Sequence, residues 1–448
     1  MRKLFVGISK MWGVSGVPGE FKMGAAMQSV NSFSNAWLCV EEGVIAGLGG
    51  EEGFFGPESL ALEVNQFMES LYVGRTIETP NPIHAESDMQ FEIVDLGGVE
   101  LLPGFVDSHT HLVFAAPRWK EFVMRIGGES YETIAAAGGG ILNSANALQA
   151  MDEDALFGQA ATRLQLMIAH GTTTVEIKSG YGLTMEAELK MLRVIRRLKL
   201  AFPIIIQSTF LGAHAIPLEY KEQSDLYVDL VINEMLPQVV AEGLADYIDV
   251  FCDRGFFSPA QTDRILKAAK AVGLPSKIHA NELGLTGGVE VAVANGSLSA
   301  DHLEYCGSHE MDILRNSFGS EGGGTMPVAL PGTSYFLGIP YAPGRAMIDA
   351  GLPLALASDF NPGSSPILSL QTIWALACTQ MKLLPGEALN AITCNAARAL
   401  RLENNVGMLA LGMRADFFTT DSPNAINTIP YFLGYNHCKQ VFVLGNLQ

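Results

Sequence analysis

The chain has 448 residues, with 28 Lys plus Arg against 47 Asp plus Glu, a formal net charge of −19 and a mean hydropathy of +0.22. That acidity excludes a protein that tracks nucleic-acid phosphates or clings by charge to an anionic membrane, and it requires any anionic ligand to be met by a local cation. The length has room for one barrel-sized domain and a smaller companion, and no run of eighteen apolar residues offers a membrane-spanning helix.

The opening "MRKLFVGISKMWG" has a basic end, but Lys10 interrupts its apolar stretch and no small-residue cleavage site follows, so it is not read as a signal peptide. Six scattered cysteines (Cys39, Cys252, Cys306, Cys378, Cys394, Cys438) contain no C-x-x-C pair and read as reduced thiols of a cytoplasmic protein, with Cys252 packed in the core. Hairpin-like pieces fill the first hundred residues, as in "NAWLCVEEGVIAGLGG" (35–50) with its Glu42-Gly43 turn, and no strong helical periodicity is visible there. Residues 47–90 are the least readable, and "NPIHAES" within them reads as loop.

From residue 101 onward, short apolar segments alternate with helical patterns. The strand candidates are "LLPGFVDSH" (101–109), "TTVEIKSG" (173–180), "IIIQSTFLGAHA" (204–215), "YIDVFCD" (247–253), "SKIHANE" (276–282), "LSADHLE" (298–304), "TMPVALPG" (325–332) and "LPLALASD" (352–359). Helices are predicted over 185–202 and 258–273, the second with Ser258 as N-cap and Pro259 at its first position. Eight such units imply an α/β fold, a (β/α)8 TIM-like barrel, whose sites lie at the C-terminal strand ends. His109, Lys178, His214, Asp253, His279, His302 and Asp359 all fall at those ends, whereas an open doubly wound sheet would gather its polar residues at one switch point. The tail, "NNVGMLALGMRADFFTTDSP" and "KQVFVLGNLQ", resembles the first hundred residues in character, so residues 1–100 and 403–448 are read as one small flanking β-sandwich domain and 101–402 as the barrel. The Gly-rich "AAAGGGI" (135–141) and "GSEGGG" (319–324) match no phosphate-binding fingerprint and read as loops.

Side chains two apart on a strand share a face, so His109 and His111 of "GFVDSHTHLVF" point the same way at a strand end. With His279 and Asp359 they give three imidazoles and one carboxylate for a single divalent ion, Zn or Fe, with one position open for water. Such an ion lowers the pKa of water towards about 7, which implies a hydrolase. The alternative for the pair alone is two hydrogen-bonded core histidines. His214 and His302 read as ligands, proton carriers or electrophiles, and Glu282, three residues past His279, as a general acid or base; the alternative for each is a structural hydrogen bond. Lys178 as a bridging modified lysine is set aside because the four ligands already complete a mononuclear centre, and His84, His170, His309 and His437 read as surface or structural. Arg118 can pair a carboxylate through its planar fork, or else form an ion pair with Glu121. G-x-S-x-G is absent, so no nucleophile elbow is supported.

At "PGFVDSHTH" the chain resembles the amidohydrolase superfamily. "HTHLVFAAPRWKEFVMRIGGESY", "VEIKSGYGL", "STFLGAHA", "KIHANE", "SADHL", "LPGTSYFLG" and "SDFNPGSSP", in order, narrow the resemblance to the imidazolonepropionase family. The resemblance implies opening of the 4-imidazolone-5-propanoate ring to N-formimino-L-glutamate in histidine degradation, on a Zn or Fe centre, in a homodimer. It matches His109, His111, His279 and Asp359 to metal ligands and Arg118, Tyr181, His214, Glu282 and Ser364 to contacts with the anionic substrate. It also implies product contacts at Asn361, Gly363 and Tyr181, and a carboxylate neighbour at Tyr131. The chain departs at Asn281, where Asp is expected, and at Ser358, where Thr is usual; neither removes a ligand, although Asn281 is placed to alter the hydrogen bonding of Glu282 or the metal. In the expected mechanism activated water attacks the ring carbonyl, His214 or His302 polarises its oxygen, and Glu282 or His302 protonates the departing nitrogen, with Asp359 a further candidate for the water proton. The rivals are another mononuclear amidohydrolase, such as an aminoazole or nucleobase deaminase, and a catalytically silent scaffold.

Overall fold

In a computed structural model the described residues are 2–72, 91–129, 140–319 and 323–448. His84, Tyr131, the "NPIHAES" stretch and most of "AAAGGGI" lie outside them, as does the middle of "GSEGGG". Two eight-stranded sheets dominate. The first strands are β1 (Arg2–Trp12), β2 (Ser32–Glu41), β3 (Val44–Gly50), β4 (Gly53–Phe55) and β5 (Phe91–Pro103), and the barrel strands β6 (Phe105–Asp107), β7 (Thr172–Lys178), β8 (Ile205–Ala213), β9 (Tyr247–Cys252), β10 (Ser276–Ala280), β11 (Ser299–His302), β12 (Met326–Ala329) and β13 (Ala355–Leu356) follow. The tail returns as β14 (Phe417–Thr420), β15 (Gln440–Val443) and β16 (Asn446–Leu447).

Both chain ends share the first sheet, in the order β16-β15-β14-β5-β1-β2-β3-β4, with β1 parallel to β5 and every other pair antiparallel. It is one hydrogen-bonded sheet that folds over until its two halves meet: Ile45 N–H donates to Met413 O (2.9 Å) and Ala415 N–H to Gly43 O (2.9 Å). Phe5, Leu38, Ile45, Leu48, Phe417 and Phe442 fill the fold, and each such burial contributes about 1.5–3 kcal/mol.

The second sheet runs β13 to β6 in reverse chain order, all parallel, as expected of a (β/α)8 barrel. Hydrogen bonds from Asp359 N–H to His109 O (3.0 Å) and from His111 N–H to Phe360 O (2.9 Å) close the ring at its mouth. Asp107 strengthens the seam by accepting from Ser358 N–H (3.0 Å) and from the Ser358 hydroxyl (2.5 Å), so serine does here what the expected threonine hydroxyl would do.

Helices form where periodicity and caps agree. Met185–Ala201 starts at Thr184, whose hydroxyl accepts from Ala187 N–H (3.3 Å), and Pro259–Ala271 starts at Ser258 in a capping box with Gln261. Two readings need correction. "LLPGFVDSH" is not one strand: Leu101–Pro103 ends β5 in the first sheet, Gly104 turns, and Phe105 begins the barrel. Only glycine fits at that crossing, because a Cβ on Gly104 would lie 2.1 Å from Thr173 Oγ1. The first hundred residues also hold a helix, Glu58–Tyr72, whose Leu60, Ala61 and Val64 pack on Leu4, Val6, Trp37 and Cys39. Its stripe is carried by that tertiary contact more than by strong periodicity.

Phe105 joins the two sheets, with its ring centroid 4.7 Å from Phe418 of the tail and 6.3 Å from Trp374 of the helix Leu370–Gln380. Trp374→Ala is expected to lower stability by about 3–5 kcal/mol, read from the urea-unfolding midpoint, and Tyr431→Ala, at a side chain 78% exposed, to leave it within about 0.5 kcal/mol. Equal effects of the two would contradict this packing.

Candidate metal centre

The barrel mouth gathers the predicted residues. Nitrogen atoms of His109, His111 and His279 lie within 4.8 Å of one another. Asp359 Oδ1 is 3.4 Å from His111 Nε2 and 3.6 Å from His109 Nε2, and the Nε2 atoms of His111 and His279 are 3.3 Å apart. All four side chains are buried. Burial, with the neighbouring Lys178 and histidines, holds His109 well below the ordinary histidine range, and burial with His214 and His279 does the same to His111.

Two of the three rings are met from behind, whereas His111 Nδ1 is buried without a hydrogen-bond partner. His109 Nδ1–H donates to Asp301 Oδ2 (2.6 Å), and His279 Nδ1 lies 3.0 Å from Asp249 Oδ2. Each contact selects the tautomer whose Nε2 carries a lone pair towards the other ligands. Thr333 donates its hydroxyl to Asp359 Oδ2 (2.5 Å), leaving Oδ1 for the centre. His109 Nε2 is buried with no hydrogen-bond partner. Converging lone pairs, a carboxylate and an orphaned buried nitrogen fit a divalent cation of N/O preference, and core histidines satisfied by hydrogen bonds would not leave that atom unpaired.

His302 and Glu282 face the same mouth. His302 Nε2 is 3.6 Å from Glu282 Oε2 and its Nδ1 is 3.5 Å from Glu304 Oε2. Burial works against a charge on His302, but Glu282 and Glu304 outweigh it and raise the ring to about 10. Burial pushes Glu282 up to about 7 against the pull of His302. His214, whose ring centroid is 5.1 Å from that of His111, is pushed down to about 3 by burial and by His279. Its Nδ1–H donates to Gly180 O (3.0 Å), so the neutral ring presents Nε2 as an acceptor.

Arg118 does form the ion pair considered as its alternative. Its Nε and Nη2 grip Glu121 at 2.9 and 2.5 Å, and Glu121 also accepts from Gly140 N–H (3.1 Å). One guanidinium edge is thereby anchored, and Nη1 lies against Gly363, where a Cβ would sit 2.1 Å from it. Asn361 is engaged within its own loop, accepting from Gly363 N–H (2.8 Å) and Ser364 N–H (2.7 Å) and donating to Asp359 O (2.7 Å). Tyr181 is buried with its ring centroid 5.3 Å from His214, on a loop whose Gly180, Gly182 and Leu183 N–H groups all donate to Glu188. Asn281 turns away from the ligands towards Thr286, whose hydroxyl is 3.4 Å from its Oδ1. Left-handed backbone at Asn281 (φ 57°), a conformation asparagine tolerates better than most residues, accounts for its place there.

Of the other histidines, His309 is exposed beside Glu290, His437 Nδ1 pairs with the Ser422 hydroxyl (2.8 Å) and His170 caps a helix; Cys252 packs in the barrel core. Asp249, Asp301, Glu304 and Thr333 were not singled out from sequence. Asp301 escaped because alternation sends residues 301 and 302 to opposite faces, and only the left-handed backbone at His302 (φ 83°) and Leu303 (φ 64°) brings both to the site.

A parallel eight-stranded barrel with three histidines and an aspartate at its mouth, flanked by a sheet from both chain ends, defines a hydrolase of the amidohydrolase type, and the model of the amidohydrolase family matches residues 101–447. The chain is 45% identical to the imidazolonepropionase of Christiangramia forsetii over 95% of its own length and 94% of the relative's, and 43% identical to that of Flavobacterium johnsoniae over the same shares. With that of Shewanella sp. (strain MR-4) it shares 48% identity over 78% of this chain and 84% of the relative. Within the amidohydrolases the chain therefore belongs to the imidazolonepropionase family. Among solved structures, guanine deaminase from C. acetobutylicum superposes with a TM-score of 0.68 over the whole of both chains at 15% identity, a likeness of fold.

Thr333→Val, which removes the hydroxyl that orients Asp359, is expected to weaken divalent-metal affinity about tenfold or more with the fold intact. Chelator competition checks this, and parental affinity in the variant would contradict the assigned role of Asp359.

Proposed function

We propose that this chain hydrolyses 4-imidazolone-5-propanoate to N-formimino-L-glutamate in histidine degradation, using one Zn or Fe ion per chain. The observation that carries the reading is the identity of 43–48% with imidazolonepropionases across most of the chain, joined to a barrel mouth whose ligand set is intact. Intact ligands also speak against a silent scaffold. His109, His111, His279 and Asp359 would hold the ion, and the ion when bound supplies Lewis acidity to a carbonyl and makes water nucleophilic near neutral pH. Lys178 supports a single ion, because its ammonium is engaged by Glu176 Oε1 (2.7 Å) and Asp249 Oδ2 (2.8 Å) below the mouth rather than turned to a second metal.

Water oxygen adds to the ring carbonyl carbon and the adjacent ring C–N bond then breaks. Glu282 accepts a proton from water, and the Glu282–His302 pair returns one to the departing nitrogen. His302 is the electrophile of the site rather than His214, because polarising a carbonyl oxygen needs an N–H, and the neutral His214 turns a lone pair inward, suited to a ring N–H. Arg118 takes the propanoate through its free edge, which Glu121 holds in place, and Tyr181, Gly363 and Ser364 complete the pocket on the loop that Asn361 shapes. Tyr131 is proposed as a further neighbour of that carboxylate. The enzyme is proposed to act in the cytoplasm as a homodimer, without nucleic-acid or membrane partners; its six cysteines are free, and among the described residues no helix is long and apolar enough to cross a membrane.

The direct test is incubation of metal-loaded protein with freshly generated imidazolone propanoate. Loss of its ultraviolet absorbance with appearance of formiminoglutamate is expected, and deamination of guanine or cytosine without ring opening would overturn the assignment. Arg118→Ala is expected to raise KM about 10–100-fold, the worth of one charge-assisted hydrogen bond, with metal content intact; an unchanged KM would remove Arg118 from the carboxylate role. Glu282→Gln should lower kcat by about 10²–10⁴, and a parental kcat would exclude Glu282 from proton transfer.

A further inference from the structure

Beneath the imidazoles lies a layer of charged side chains sealed from water: Glu176 and Lys178 on β7, Asp249 on β9, Lys277 on β10 and Asp301 on β11, each with no exposed surface. A (β/α)8 barrel ordinarily fills this level with branched apolar residues, and burying ions costs more than their pairing returns unless every charge is met. Lys178 Nζ donates to Glu176 Oε1 (2.7 Å) and lies 2.8 Å from Asp249 Oδ2. Lys277 Nζ donates to Glu176 Oε2 (3.1 Å) and to the carbonyl of Ser108 (2.5 Å), the residue before His109, and lies 3.5 Å from Asp301 Oδ2. Glu176 thus ties the two lysines together, one to each oxygen. Lys178 is also 3.9 Å from Asp301 Oδ2, and each aspartate meets a ligand imidazole, His279 above Asp249 and His109 above Asp301.

We propose that Lys178 and Lys277 are positioning residues for the metal centre, each fixing one aspartate so that the imidazole above it directs Nε2 to the cation. The proposal rests on the reading of the four ligands as a metal site. Two ammoniums against three carboxylates leave one negative charge in excess under the cation, and the shared Glu176 couples the orientation of His279 to that of His109. Neither lysine reaches the mouth, so each acts through the aspartate it pairs with, Lys277 also through the Ser108 carbonyl beside His109. Ion pairs held merely to fill the barrel would have no need to end on the two ligand rings.

A double-mutant cycle tests this with metal affinity as the readout. The Kd for Zn²⁺ is measured by competition with a chromophoric chelator for the parent, Lys277→Met, Asp301→Asn and the double variant, with circular dichroism as the check on folding. Each single variant should bind about 10–100-fold more weakly, and the loss in the double variant should fall clearly short of the product of the two singles, since both residues act on the one ring of His109. A folded Lys277→Met with the parental Kd would overturn the proposal, as would a double variant whose loss is the product of the two singles. Should Lys277→Met fail to fold, the double variant set against Asp301→Asn decides: a further loss well under tenfold supports the proposal and one of about tenfold or more overturns it. A parent that binds no zinc overturns the metal reading and this proposal together, whereas parental binding in the folded variants overturns the proposal alone.

Discussion

The structure depends on three buried imidazoles turning their lone pairs towards one another and towards Asp359 at the barrel mouth. Lone pairs brought together in this way repel unless a cation stands among them, and burial works against His109 and His111 supplying that charge by taking up protons themselves. Every neighbouring contact serves the same orientation. Asp301 and Asp249 hold the outer ring edges of His109 and His279, and Thr333 holds the outer oxygen of Asp359.

The fold supplies the geometry through closure and through local strain. The proposed ligands, drawn from the segment after β6, from β10 and from the turn after β13, meet only because the first and last strands join, and the hydrogen bonds of Asp107 with Ser358 and of His109 with Asp359 make that seam part of the site. Left-handed backbone at Asn281, His302, Leu303 and Asp359 costs about 1–3 kcal/mol per residue. All four positions sit where a strand ends at the mouth. The strain re-aims side chains that regular alternation would send to opposite faces, and the buried hydrogen bonds around them hold it. Around this rigid floor Arg118 is clamped to Glu121 and the 361–364 loop to Asn361, so the surfaces facing a substrate are set before it arrives.

Much of this was legible in the sequence because periodicity and residue chemistry agreed. His109 and His111 announce themselves as polar rings on an apolar strand, His279 and Asp359 as polar ends of buried ones, and Ser258 with Pro259 as a helix start. The helix Glu58–Tyr72 was not legible, since its apolar stripe acquires meaning only against Leu4 and Trp37 of distant strands. Nor was the break at Gly104, where an apolar run continues across the passage from one sheet to the other. Asp249, Asp301 and Lys277 were hidden for a third reason. A charged residue on a strand reads as solvent-facing until its partners on neighbouring strands are known, and those partners lie tens of residues away in the chain.

The most direct measurement is the amount of transition metal bound per chain, by elemental analysis, in the purified protein and in His279→Ala. Convergence of the four side chains on one cation predicts close to one equivalent in the parent and a small fraction of that in the variant. A parent carrying none after reconstitution with zinc or iron, or a variant that keeps its full equivalent, would contradict it.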